Sequence, residues 1–133
     1  MNTSVEGLAK WYKFVNDKEK QSLAEALAED VRFHSPVLWR PKEGKAVTML
    51  YLSCAVRVLE DFTYHRRFSA DNGAVLEFSA RVGELRVKGV DILQFNADGQ
   101  IVDFEVMVRP ANGLQALGAA MAQELAAAGL PVS

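Results

Sequence analysis

Cysteine and histidine are scarce: the 133 residues hold one cysteine, Cys54, and two histidines, His34 and His65. A single thiol excludes an internal disulfide and fits a reducing compartment. The two histidines fall in different segments with no His/Cys cluster at ligand spacing, so no metal or other cofactor is expected. Basic residues are not in excess either, with 15 Lys and Arg against 17 Asp and Glu and a net charge of −2. That balance argues against a nucleic-acid partner. No apolar run approaches the roughly 18 residues of a membrane span, and the N-terminus lacks a basic stretch leading into an apolar one. A cytoplasmic protein without a membrane partner is expected. There is no Gly-rich phosphate loop, since Gly83 and Gly89 flank strand residues and precede no helix.

What is present is an ordinary globular composition, 50% hydrophobic and 24% charged. It suits one compact core, and a single domain over 1–133 is expected. Leu8, Trp11, Tyr12 and Val15 recur at helical spacing, and Leu23, Ala24, Leu27 and Ala28 mark a second helix ending near Asp30. Val31 to Ser35 alternates as a brief strand closed by Pro36. After a loop containing Pro41 and Gly44, residues Val47, Leu50, Tyr51, Cys54 and Val58 predict a third helix. The period then changes from 3.6 to 2. Phe62 to Phe68, Ala74 to Val82, Leu85 to Phe95 and Ile101 to Val108 read as four strands joined by short turns, and such turns make them antiparallel neighbours. A last helix runs from a cap at Asn112 through Leu117 and Leu125 to Gly129. The class is α+β: an antiparallel sheet packed on three N-terminal helices, with a C-terminal helix.

One residue breaks the strand pattern. Asp91 shares its face with Leu93 and Phe95, and a carboxylate among apolar neighbours needs a partner, a pocket or a proton. If that face is inward, desolvation raises its pKa and makes it a candidate acid or base near neutral pH. The competing reading is an Asp91 that only orders the core by accepting a bond from Trp11 or a tyrosine hydroxyl.

The order of these elements resembles the nuclear transport factor 2-like superfamily, which includes SnoaL-like polyketide cyclases and ketosteroid isomerases. The signatures are Ala-Glu-Asp-Val-Arg-Phe-His-Ser-Pro at 28 to 36, Gly44 before the third helix, and Val-Asp-Ile-Leu-Gln-Phe-Asn-Ala-Asp-Gly-Gln-Ile at 90 to 101. The ending Val-Met-Val-Arg-Pro at 106 to 110 resembles that of a bacterial subgroup. The resemblance implies a cone-shaped, strongly bent sheet around an apolar pocket. An ungapped match to ketosteroid isomerase puts Asp91 where that enzyme has a protonated aspartic acid. Its oxyanion-hole tyrosine falls on Trp11, and its general-base aspartate falls on Ser35. A tryptophan is no phenol, and a serine of ordinary pKa cannot shuttle a proton between carbons. The resemblance therefore implies the pocket and not that isomerase activity.

The candidate catalytic residues are Asp91 and, at the strand end near the pocket mouth, His34. By alternation His34 points outward and Ser35 inward, which also argues against a Ser35-His34-Asp91 triad. Candidate ligand-binding residues are Trp11, Ser35, Trp39 as a lid, Tyr51, Tyr64, Phe104 and Val106. The expected function is to hold a small apolar molecule, as an isomerase, cyclase or hydratase acting on a carbonyl compound. The alternative is a non-catalytic ligand-binding or dimerisation module. The superfamily resemblance implies a homodimer through the outer sheet face, which carries Glu105, Met107 and Arg109.

Overall fold

The computed structural model describes residues 4–129, without the side chains of Ser4 and Val5. Pro131, which follows the helix end expected at Gly129, lies outside the described residues.

Helix α1 (Ser4–Asp17) buries Leu8, Trp11 and Phe14, a stripe one turn apart that faces the sheet. It closes when Lys18 turns left-handed (φ 56°) and its N–H meets the Phe14 carbonyl at 2.7 Å. Helix α2 (Lys20–Ala26) is shorter than predicted: the chain becomes extended at Leu27, and β1 occupies Leu27–His34. Leu27, Ala28 and Val31 suit a helix face and a buried strand equally, and pairing decides. Leu27 lies opposite Ile101 and Phe33 opposite Phe104 on the last strand, and Lys42–Glu43 (β2) covers the other edge of β1. The pairing with the last strand is parallel, so the sheet is mixed where an all-antiparallel one was expected.

Helix α3 (Lys45–Val58) follows Gly44, whose φ of 102° only glycine adopts freely. The meander β3 (Glu60–Ala70), β4 (Gly73–Val82), β5 (Leu85–Phe95) and β6 (Ile101–Arg109) follows with antiparallel pairing throughout. Its last turn is fixed by Asn96, whose Oδ1 accepts the N–H groups of Asp98 and Gln100, each at 3.0 Å. A register shift at the start of β6 leaves Val102 unmatched and turns Ile101 into the core. The strand order is β2-β1-β6-β5-β4-β3, an open sheet that is not strongly curled. The expected strongly bent cone is thus not the shape that encloses the interior.

The helices do that work. Phe104, Leu93 and Leu76 on the inner face pack against α1 and α3, while Ala80, Val82 and Val87 pack against Leu117 of α4 (Ala111–Ala127). Pro110 occupies the N-cap of α4 and no side chain caps it; the Asn112 carboxamide instead accepts the N–H of Gly113 inside the first turn. Among the described residues, each helix pairs its apolar side with the sheet or with another helix, and the opposite sheet face carries no helix. Among the described residues, no helix is long and apolar enough to cross a membrane.

Candidate functional site

Between α1, α3, α4 and the inner sheet face lies a cavity of about 860 Å³. Trp11 and Val15 of α1, Tyr51 and Leu52 of α3, Phe78 of β4, Phe104, Val106 and Val108 of β6, and Leu117 and Met121 of α4 line it. The wall is chiefly apolar, and the deep polar group in it is Asp91, which is 4% exposed. Pairing explains the placement: Asp91 lies opposite Leu76 on β4 and Val106 on β6, both on the inner face, so the pleat aims its carboxyl inward.

The Asp91 carboxyl has a specific partner. The Tyr64 hydroxyl donates to Oδ2 at 2.5 Å, and the Trp11 indole donates to the Tyr64 oxygen at 2.8 Å. An indole N–H can only donate, so the Tyr64 oxygen accepts there and its own proton is directed at Asp91. The chain Trp11, Tyr64, Asp91 therefore has one sense. Phe62 stands edge-on to the Tyr64 ring at 4.9 Å and Tyr12 at 5.6 Å, which holds the phenol in place.

Burial sets the protonation of this pair. Removal from water pushes the Asp91 carboxyl from 3.8 up to about 7, against the downward pull of the Tyr64 hydrogen bond. Tyr64 is raised well above the usual phenol range, first by burial and then by the neighbouring Asp91 charge. Near neutral pH the phenol keeps its proton and Asp91 exchanges one. Since Oδ2 accepts from Tyr64, a proton on Asp91 resides on Oδ1. In that state the group is a hydrogen-bond donor in an apolar chamber.

The sequence-predicted residues divide into three groups. Trp11, Ser35, Tyr51, Asp91, Phe104 and Val106 line the cavity. Tyr64 takes part through its bond to Asp91. His34 and Trp39 are not among the lining residues and border a groove toward the outer sheet face that shares Ser35, Pro36, Val37, Val106 and Val108 with the cavity. There His34 Nε2 donates to Asp103 Oδ1 at 2.9 Å, a partner supplied by the parallel β1/β6 pairing, and Trp39 is 98% exposed. The Ser35 hydroxyl, just past the end of β1, accepts the N–H of Val37 at 3.2 Å. Sequence reasoning missed Phe62 and Phe78, stacked at 4.9 Å, and the α4 residues Leu117 and Met121. The inward strand alternation Leu76-Phe78-Ala80 was a usable signal for Phe78, whereas nothing local shows that α4 returns to close the chamber. Among the described residues, no group of three or more His, Cys, Asp or Glu side chains is placed to hold a metal ion.

Comparison of the sequence with curated proteins finds no match. Among solved structures, a steroid delta-isomerase from Pseudomonas aeruginosa is similar, at 42% identity over 96% of this chain and 95% of that one, with a TM-score of 0.93. A protein with a cystatin-like fold from Silicibacter pomeroyi is 32% identical over 90% of this chain and 85% of that one, with a TM-score of 0.86. An NTF2-like protein of unknown function from Mesorhizobium loti shares the fold at 18% identity, covering 81% of this chain and 92% of that one, with a TM-score of 0.72. Residues 8–104 match the SnoaL-like domain, and the chain belongs to that family.

Proposed function

We propose that the cavity binds an apolar carbonyl compound with its oxygen at Asp91, and that Asp91 donates a proton or a hydrogen bond to that oxygen as the compound is isomerised, cyclised or hydrated. The observation that carries this reading is a deeply buried carboxyl with a pKa of about 7 in an apolar chamber, with a neutral phenol as its hydrogen-bond partner. A carbonyl oxygen beside it gains most as negative charge develops there, which is the differential stabilisation that catalysis needs. The relative described as a steroid delta-isomerase supports a ring ketone as the class of compound to try first.

The test is a screen of apolar carbonyl compounds beginning with steroid ketones, followed by kinetics of Asp91→Asn on any compound turned over. An asparagine carboxamide can still accept from Tyr64 and present an N–H to the ligand, but it cannot transfer a proton. Binding should therefore persist while turnover falls by ~10²-fold, the usual size of one acid/base group. Unchanged turnover would remove Asp91 from the chemistry.

A second reading, non-catalytic ligand binding, is favoured by Ser35, because a serine at that place in the lining supplies no second acid or base. Tight binding of steroid ketones with no chemical change to any compound in the screen would decide for it. The exposed Trp39 and Met107 beside the outer-face groove support pairing of two copies there, a reading that sedimentation as a monomer would end.

A further inference from the structure

The cavity has a second end. Trp11, beside the Tyr64 and Asp91 pair, lies near the middle of α1, and Lys18 follows the end of that helix, seven residues on. Two helical turns carry the chain about 10 Å. Tyr51 and Arg57 are likewise disposed along α3, the tyrosine among the interior aromatics and the arginine in the last turn. Lys18 and Arg57 both line the cavity, together with Glu60, Asp61 and Glu124. One end of the chamber thus holds a buried carboxyl in an apolar wall, and the other carries charged side chains.

The charges at that mouth are matched except one. Glu60 and Asp61 share Arg81, at 3.5 and 2.9 Å. Glu124 holds Arg57 at 3.1 Å, joining α4 to α3. Among the described residues no carboxylate pairs with Lys18, although three stand on the same rim. Its backbone conformation is also unusual. Lys18 and Asp61 are the two non-glycine residues with positive φ among the described residues, at 56° and 54°, and both line the cavity. For Lys18 this is the conformation that closes α1, and it fixes where the side chain leaves the helix at the rim.

We infer that the ligand of this site carries an anionic group at the end of its apolar body far from its carbonyl oxygen, with Lys18 receiving the anion at the mouth while Asp91 meets the oxygen inside. The substrate class is therefore a carboxylate-bearing apolar ketone rather than a wholly neutral one. This rests on the Asp91 end being the carbonyl site proposed above. The anionic group stays near water, so Lys18 adds selectivity between ligands of the same body more than it adds total affinity.

A matched pair of probes separates the two ends: 3-oxo-4-cholen-24-oic acid and its methyl ester, titrated calorimetrically into wild-type protein and into Lys18→Gly. Glycine takes the left-handed conformation without strain, so the variant should fold while losing only the cation. Wild type is expected to bind the acid about fivefold more tightly than the ester at low salt, the size of one exposed ion pair. Lys18→Gly should bring the two to equal affinity, with that of the ester unchanged, and high salt should do the same to wild type. Equal binding of acid and ester by wild type, or a preference that survives in Lys18→Gly, would overturn the Lys18 assignment and leave the Asp91 end intact. Failure of both probes to bind, or ester binding indifferent to Asp91→Leu, would remove the carbonyl site and the anion site with it.

Discussion

Two carboxyls sit mid-strand on adjacent strands of the meander and meet opposite fates. Glu77 of β4 pairs in register with Val90, and Asp91 of β5 pairs with Leu76, so the two acids are diagonal neighbours on opposite sheet faces. Their exposure is nearly the same, 7% for Glu77 and 4% for Asp91. On the outer face, the Arg66 guanidinium grips Glu77 with two hydrogen bonds, at 2.8 and 2.5 Å, and Lys88 adds a third contact at 3.2 Å. Those bonds and charges hold Glu77 down at about 2. On the inner face, Asp91 has a neutral phenol for a partner and is pushed up to about 7. Burial alone does not make a proton exchanger. A buried carboxylate with its own cations is committed to structure, and one held by a neutral donor beside a cavity is free to take and give a proton.

The largest break in this contrast should come from pH. Asp91 has a folded pKa above its unfolded value, so its contribution favours the folded state below about pH 4 and is lost as pH rises to about 7. Relative to Asp91→Asn, which does not titrate, wild type should lose on the order of 4 kcal/mol across that window. Urea unfolding of both proteins over a pH series measures this, and parallel curves would mean that Asp91 is not perturbed. Next in size is Tyr64→Phe. It removes the one bond that lowers the Asp91 pKa and leaves the Trp11 N–H without its acceptor, at a cost of about 1–3 kcal/mol. The Asp91 titration should move further up, and a downward move would contradict the direction of the hydrogen-bond chain. Glu77→Gln should act with the opposite sign and the smallest effect. Its wild-type contribution is present above pH 4.5 and fades as pH falls toward about 2. The difference in melting temperature between wild type and Glu77→Gln should therefore shrink in acid, and one that grew there would overturn the pairing with Arg66 and Lys88.

The contrast between the two acids was half legible in the sequence. Period-two alternation gave each residue's face relative to its own neighbours, which is why Asp91 stood out. Arg66 was not recognisable as the main partner, because two register shifts in β3 move its side chain relative to simple alternation. The same limit applies to His34: its bond to Asp103 depends on parallel pairing between the first and last long strands, 69 residues apart, which no local pattern encodes. The end of α2 was misplaced because Leu27 and Ala28 satisfy both periods until β6 is there to pair with. Helices α1 and α3 were readable since each carries a stripe facing a single surface. The return of α4 over Val87 and Val108 to close the cavity is a tertiary fact, and its alanine-rich sequence shows helix without showing where it lies.

Carboxyl carbon chemical shifts of Asp91 and Glu77, followed through a pH titration of the unliganded wild-type protein, test the central claim most directly. The expected result is two well-separated midpoints, Asp91 near 7 and Glu77 near 2. An Asp91 midpoint close to the ordinary 3.8 would mean that the carboxyl is ionised and solvated at neutral pH, and would contradict its role as the proton-bearing group of the cavity.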